Sequence, residues 1–138
     1  MIPLLDKIKV RFQRGRLARA RQVSFNFDSD GVIYSSWING EPEIEQLIPW
    51  TKIEIVAAFK RDLYAVDLIC IAFETADFVY EINEEMVCWA AFVGEIATHL
   101  PGCLKAEDWY QAVTLPAFKT NWTVLYSREV ASNLRPGS

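Results

Sequence analysis

The strongest constraint on the fold is an alternation of apolar and polar residues with a period of two, which recurs between residues 22 and 82. Such a period is typical of half-buried β-strands, because successive side chains of a strand point to opposite faces. Residues 23–27 and 32–37 are both extended, apolar-rich stretches of this kind, and the turn-forming run Asp28-Ser29-Asp30-Gly31 lies between them. We therefore predict a β-hairpin at this point.

Three more strands are predicted before residue 83. Residues 39–45 are interpreted as a connection, and the next strand opens at Pro49-Trp50. Its odd-numbered residues, 53–59, are expected to face the core, and a turn is expected at Arg61-Asp62. Residues 66–73 are almost continuously apolar, which predicts a central strand covered on both faces. A last alternating run spans residues 78–82.

A change to helical spacing follows. Asn83 is a residue type that caps helix N-termini, and Glu84 and Glu85 would place negative charge in the first turn, where the helix dipole favours it. Apolar residues then recur at helical spacing as far as the stop signal Pro101-Gly102: Met86, Trp89, Ala90, Val93, Ile96, Ala97 and Leu100. We predict a main helix from Asn83 to Leu100, a short helix over 106–114 and a closing strand over 121–128.

These elements predict an α+β fold, namely an antiparallel, strongly bent sheet or open barrel. The C-terminal amphipathic helix is expected to lie against it through Trp89, Val93 and Ile96. A chain of 138 residues, 51% of them apolar, is expected to form one domain. We place that domain at 23–128, between a basic N-terminal arm at 1–22 and a flexible tail at 129–138.

Charge is distributed unevenly between the arm and the domain. Residues 1–22 hold seven basic residues and one acidic residue, a net charge of +6, and the rest of the chain has a net charge of −10. The arm has two interpretations. Its apolar residues fit one side of a helix, whereas residues 7–12 alternate strictly, as in a strand. The arm either packs its apolar side on the domain or binds an anionic surface through Lys7, Lys9, Arg11 and Arg14.

The sequence offers little for catalysis. It has a single histidine, His99, and three cysteines without CxxC spacing, and it lacks a glycine-rich phosphate loop. We expect no catalytic residue, no metal site and no cofactor. The acidic pairs are interpreted as turn residues and helix N-terminal charges: Asp28/Asp30, Glu84/Glu85 and Glu107/Asp108.

A cytoplasmic location is expected, with peripheral membrane association as the alternative. Charges are scattered through residues 1–22, where a secretory signal would need a continuous apolar stretch. The longest apolar run, residues 86–93, is far shorter than the roughly 20 residues that span a bilayer. Free cysteines in apolar surroundings also suit a reducing compartment.

One segment is a candidate protein-binding surface. Trp37 is predicted at a hairpin end, where an aromatic side chain can anchor a partner. Glu41, Glu43 and Glu45 follow it closely and would present negative charge to a basic partner.

Several sequence runs resemble a group of small bacterial proteins whose order of strands and helix is similar to a pleckstrin-homology-like barrel. The runs are Ser24 to Gly31, Trp50-Thr51-Lys52-Ile53, Ala58-Phe59-Lys60-Arg61-Asp62, Asp67-Leu68-Ile69-Cys70, Leu100-Pro101-Gly102, Trp109, Pro116 to Asn121 and Leu125 to Arg128. The resemblance covers residues 23–128 and implies an immunity or adaptor protein.

Two classes of function follow from the sequence. The first is a non-catalytic protein-binding module, such as an immunity-type protein that presents its acidic surface to a basic partner. The second is a peripheral membrane or anionic-ligand adaptor that uses the basic arm. Nucleic acid is not an expected partner of the acidic domain, and we do not expect an enzyme.

Overall fold

The computed structural model describes residues 22–62, 66–115 and 121–129. A single turn of 3₁₀ helix, Trp50–Lys52, lies between the third and fourth strands. The strands and helices of the described residues are β1 (Gln22–Phe27), β2 (Gly31–Trp37), β3 (Ile44–Pro49), β4 (Ile55–Asp62), β5 (Asp67–Glu74), β6 (Val79–Asn83), α1 (Trp89–His99), α2 (Ala106–Thr114) and β7 (Thr123–Ser127).

The strands form two antiparallel sheets, neither of which closes into a barrel. The first sheet has the order β1-β2-β3 and the second the order β6-β5-β4-β7. The chain passes from one sheet to the other between β3 and β4, and β7 returns after the two helices to pair with β4. The predicted α+β class, with antiparallel pairing, is confirmed.

The predicted β-hairpin is also confirmed. β1 pairs with β2, so that Phe25 lies opposite Tyr34. In the turn, Asp28 Oδ1 accepts hydrogen bonds from the backbone N–H groups of Asp30 at 2.8 Å and Gly31 at 3.2 Å. Such local bonding is the reason that Asp is favourable in turns, and it gives Asp28 the structural role expected from the sequence.

β3 corrects the prediction that residues 39–45 are only a connection. It begins at Ile44 and pairs with β2 along its length, with Ile48 opposite Val32. Ile48 is the one buried residue of this strand. Because the other side chains are exposed or half-buried, β3 lacks the alternation by which a half-buried strand is recognised.

β5 is a central strand, as predicted. It pairs with β4 on one side and β6 on the other, and its residues 69–74 are all buried. The turn predicted at Arg61-Asp62 is wrong, because β4 continues to Asp62, which pairs with Asp67. The apolar run of β4 ends before the charged residues 60–62, but the backbone pairing with β5 includes them.

Both faces of the four-stranded sheet are buried, which corrects the expectation that the odd-numbered residues of β4 face the core. The main core contains the even-numbered Val56 and Ala58 and joins both sheets to both helices. Ala57 and Phe59 lie on the opposite face and are also buried. Since β4 is covered on both sides, alternation did not identify its core face.

Lys60 is the clearest departure from the sequence pattern. Its side chain is 1% exposed. The Nζ atom donates to the carbonyl of Thr114 at 2.5 Å and forms an ion pair with Asp67 at 3.2 Å. A buried ammonium group needs such partners, and the contact ties the last residue of α2 to the sheet.

The main helix begins later than predicted. Asn83 is the last residue of β6, and α1 begins at Trp89. Asn83 Oδ1 accepts a hydrogen bond from the backbone N–H of Glu85 at 3.0 Å, which stabilises a turn instead of a helix. Glu84 Oε1 accepts from the backbone N–H of Ile69 at 3.1 Å. Asn favours turns and helix N-termini by the same bonding, which explains the error.

α1 packs on the main core through Trp89, Phe92 and Ile96, all of which are buried. Val93 is partly buried against the same core, whereas Ala90 is exposed. The Phe92 ring meets the ring of Phe25 edge-on, with 5.3 Å between centroids. α2 lies within the limits predicted for it and buries Trp109 and Val113; Glu107 and Asp108 lie in its first turn, as expected.

The domain limits are described only in part. Gln22, placed at the end of the basic arm, is the first residue of β1. Residues 1–21 and 130–138 lie outside the described residues, and so do most of the arm and the tail expected from the sequence. No helix of the described residues is long and apolar enough to cross a membrane.

Candidate protein-binding surface

The connection between β2 and β3 turns sharply just before the acidic residues. The backbone N–H of Glu41 donates to the carbonyl of Ile38 at 2.9 Å, so residues 38–41 form a β-turn. Gly40, the third residue of this turn, has a φ of +85°. That left-handed conformation is the one a type II turn requires at its third position, and it explains the Asn39-Gly40 pair.

We define the β3 surface as the candidate residues of this region together with the two large apolar residues that β3 exposes: Trp37, Glu41, Glu43, Ile44, Glu45 and Leu47. The three glutamates are exposed and Trp37 is half-buried. Ile44 and Leu47 expose 54% and 52% of their surface. Large apolar side chains this exposed are available for contact with another molecule.

Strand register puts several of these side chains on one face. Leu47 lies opposite Ile33, and Glu45 lies opposite Ser35. Directly opposed residues of an antiparallel pair share a face, and so do alternate residues of one strand. Trp37, Glu45 and Leu47 therefore share the outer face of the three-stranded sheet, and Glu43 precedes β3 by one residue and continues the same alternation.

Sequence reasoning identified the carboxylates and Trp37 but missed Ile44 and Leu47. Ile44 lies opposite Ser36 and so belongs to the other face, at the end of the sheet. The available signal was the run Ile44–Pro49, in which three residues are Ile or Leu. The adjoining acidic residues are typical of a loop, and this pattern obscures the strand signal.

β3 lies at the edge of its sheet. Among the strands that the structure describes, β2 is its one neighbour. An edge strand presents backbone N–H and C=O groups that can pair with an incoming strand. Negatively charged side chains on such an edge repel another copy of the same strand and attract a basic one.

The cysteine thiols are poorly suited to nucleophilic chemistry. Cys70 and Cys103 are buried, whereas Cys88 is half-buried. Burial raises the pKa of the Cys103 thiol to about 12. Burial, with the charge of Glu81 nearby, also raises the pKa of Cys70. Both thiols are therefore protonated at neutral pH, and the thiolate is the reactive form.

His99 packs against aromatic rings. Its ring is stacked on Trp50, with centroids 4.6 Å apart and an angle of 2° between planes. The rings of Phe27 and His99 are T-shaped to each other, with 6.0 Å between their centroids. His99 is the last residue of α1, and its imidazole packs the end of this helix against the 3₁₀ turn.

The sequence raised two questions about ligands, namely a metal site and an anionic surface. Within residues 22–62, 66–115 and 121–129, no three His, Cys, Asp or Glu side chains come together as a metal site would require. The candidate residues for an anionic surface, Lys7, Lys9, Arg11 and Arg14, lie outside the described residues.

Comparisons of the chain with protein-family models, with curated proteins and with solved structures find no significant match.

Proposed function

We propose that this chain is a non-catalytic module that binds a basic protein partner through the β3 surface, as an immunity-type protein would. The observation that carries the proposal is the edge strand β3: the exposed Leu47 shares its outer face with Glu45, and the exposed Ile44 lies between Glu43 and Glu45 at the start of the strand. The proposal includes a pleckstrin-homology-like arrangement of the two sheets and the helices, supported by the antiparallel order of the strands.

Charge and apolar contact would contribute differently to binding. Glu41, Glu43 and Glu45 lie within five residues and attract a basic partner during approach, which increases the association rate. Ile44 and Leu47 expose about half of their surface in the free protein. Burial of that exposed half would add about 1 kcal/mol for each residue to the free energy of binding. A partner segment in an extended conformation would also pair with the edge of β3 that no described strand occupies.

The non-catalytic part of the proposal is supported by the state of the groups that most often serve as nucleophile and base. The Cys70 and Cys103 thiols are buried and have raised pKa values. The His99 ring is stacked on Trp50. The two buried thiols are therefore not presented to solvent as nucleophiles, and the His99 ring is used for packing.

A matched pair of charge-reversal variants tests the proposal. The test variant carries Glu41→Lys, Glu43→Lys and Glu45→Lys, and the control carries Glu54→Lys, Asp77→Lys and Glu95→Lys, which are also exposed. Each variant changes the net charge from −4 to +2. The partner is first identified by affinity purification from the native host, and association is then measured by stopped-flow fluorescence.

We expect the test variant to associate about tenfold or more slowly than wild type at low salt, and we expect this difference to fade as salt screens the charges. The control should remain close to wild type. An equal loss in both variants would show that net charge alone matters, and unchanged association in both would place the binding surface elsewhere.

A further inference from the structure

The backbone hydrogen bonds of the three-stranded sheet determine which residues of β3 point towards β2. Directly beyond the ladder between these two strands, the Trp50 N–H donates to the carbonyl of Asp30, the residue opposite it, at 3.4 Å. In an antiparallel ladder, pairs that exchange hydrogen bonds alternate with pairs that do not. The even-numbered residues of β3 therefore bond to β2, and the backbone groups of Glu45 and Leu47 point the other way.

Two further observations agree with this assignment. On the other side of β2, the Asp28 N–H donates to the carbonyl of Gly31 at 3.0 Å. The odd-numbered residues of β2 thus bond to β1, and its even-numbered residues bond to β3. Pro49 is odd-numbered and has no N–H, and a proline in an edge strand lies where that group would face away from the neighbouring strand. We call the side of β3 that faces away from β2 its far edge.

Solvent reaches the far edge. Residues 44–47 are all exposed, and no strand of the described residues pairs with this side of β3. Exposure of four successive residues includes both faces of the strand, so the edge can be approached from either face. The N–H and C=O groups of Glu45 and Leu47 are therefore placed to form a ladder with an added strand.

The side chains along the far edge differ between the two faces of the sheet. Glu45 and Leu47 lie on the outer face, where Glu43 continues the alternation, whereas Ile44 and Gln46 lie on the inner face. In an antiparallel pair, each side chain meets the one directly opposite, and opposite charges or two apolar groups stabilise the pair. The edge is thus complementary to a strand with basic and apolar residues at defined positions.

We propose that the partner adds an antiparallel β-strand to the far edge of β3, with the pattern apolar, any residue, basic, apolar, basic from its N-terminus. The two basic residues lie opposite Glu45 and Glu43, and the two apolar residues lie opposite Leu47 and Ile44. The residues opposite Glu45 and Leu47 exchange backbone hydrogen bonds with β3. This inference rests on the proposed function, because it specifies how the same basic partner is bound.

Titration of the full-length wild-type chain with a synthetic peptide is the first test. The probe is the capped peptide Ser-Val-Thr-Lys-Ile-Lys-Ser, and the readout is the amide NMR spectrum of the protein. We expect the amide signals of Glu45 and Leu47 to shift. A spin label at the peptide N-terminus should broaden signals near Leu47 more than signals near Glu43, and the reverse order would show a parallel strand and overturn the proposal.

A control peptide separates the pattern from composition. Ser-Lys-Lys-Val-Thr-Ile-Ser contains the same residues, but its adjacent lysines lie on opposite faces of a strand in every register. Only one of them can meet the carboxylates of the outer face, so this peptide should bind about threefold or more weakly. Equal affinity of the two peptides would contradict the proposed pattern.

Peptide N-methylation separates strand addition from contact through side chains alone. The lysine opposite Glu45 donates its N–H to β3, whereas the N–H of the threonine opposite Gln46 points away. N-methylation of this lysine should therefore weaken binding about tenfold, and N-methylation of the threonine should leave it nearly unchanged. Equal effects at the two positions would overturn the proposal.

A charge exchange tests the register from the side of the protein. The Glu43→Lys, Glu45→Lys variant should lose binding of the lysine peptide and gain binding of a peptide with glutamate in place of both lysines. The Glu54→Lys, Glu95→Lys control changes exposed residues elsewhere and should bind the lysine peptide as wild type does.

The strand addition and the proposed function can fail separately. If the lysine peptide shifts no amide signal of β3 at millimolar concentration, or the charge exchange does not restore binding, the strand addition is wrong. The proposed function still holds in that case if the three-lysine variant slows association with the native partner. If the peptide binds as expected but that variant associates normally, the native partner binds elsewhere and both proposals are overturned.

Discussion

Replacement of Gly31 by alanine tests the packing that holds β3, and with it the β3 surface, in place. A Cβ atom at residue 31 would lie 2.2 Å from the carbonyl oxygen of Ile48 and 2.8 Å from the Cα of Pro49. Both contacts are with backbone, so a side-chain rotation does not relieve them. Ordinary contact begins near 3.4 Å, and β2 and β3 must therefore separate by about 1 Å at this point.

The cost of Gly31→Ala follows from this displacement. Overpacking of a well-packed site costs about 1–3 kcal/mol, and weakening one or two hydrogen bonds between β2 and β3 costs about 1 kcal/mol each. The reduced freedom of the unfolded chain offsets about 0.4–1 kcal/mol. We expect a net loss of about 2 kcal/mol in the free energy of unfolding.

Gly94→Ala is the matched control. Gly94 is an exposed residue within α1, and a Cβ atom there meets nothing within 4 Å. Because alanine is favoured over glycine in a helix interior, this substitution should stabilise the protein by about 0.8–1 kcal/mol. The same chemical change is thus expected to have opposite effects at the two positions.

Urea unfolding followed by tryptophan fluorescence measures both effects. With a slope of about 2 kcal/mol/M, the Gly31→Ala midpoint should fall by about 1 M and the Gly94→Ala midpoint should rise by about 0.4 M. A Gly31→Ala midpoint within about 0.2 M of wild type would refute the reasoning, because it would mean that β3 yields to the added methyl group at no cost.

Three further outcomes are expected. In native protein at pH 7.5, a maleimide should modify Cys88 first, since the pKa of Cys103 is raised to about 12 and Cys70 is buried; peptide mapping that finds Cys103 modified before Cys88 would contradict this. His99→Gln should preserve partner binding and lower the free energy of unfolding by about 1 kcal/mol through lost stacking on Trp50, and loss of binding in a folded variant would assign His99 a functional role. Amide hydrogen exchange should be slowest in β5, which is paired on both sides, and faster exchange there than in β3 would be inconsistent with a central strand.

The sequence predicted those elements whose own residues carry the structural signal. The hairpin of β1 and β2 has apolar alternation and a turn stabilised by Asp28, and β5 has a continuous apolar run. α2 has acidic residues at its first turn and a proline beyond its end. In each case the information is local, so the pattern and the structure agree.

The elements that were mispredicted depend on contacts with other parts of the chain. β3 is a strand because β2 offers it a partner, not because its exposed residues alternate. Asn83 caps a turn because β6 continues to that residue. Two of the six residues of the β3 surface are affected in the same way, since Ile44 and Leu47 become candidates for binding only once β3 is placed at the edge of a sheet.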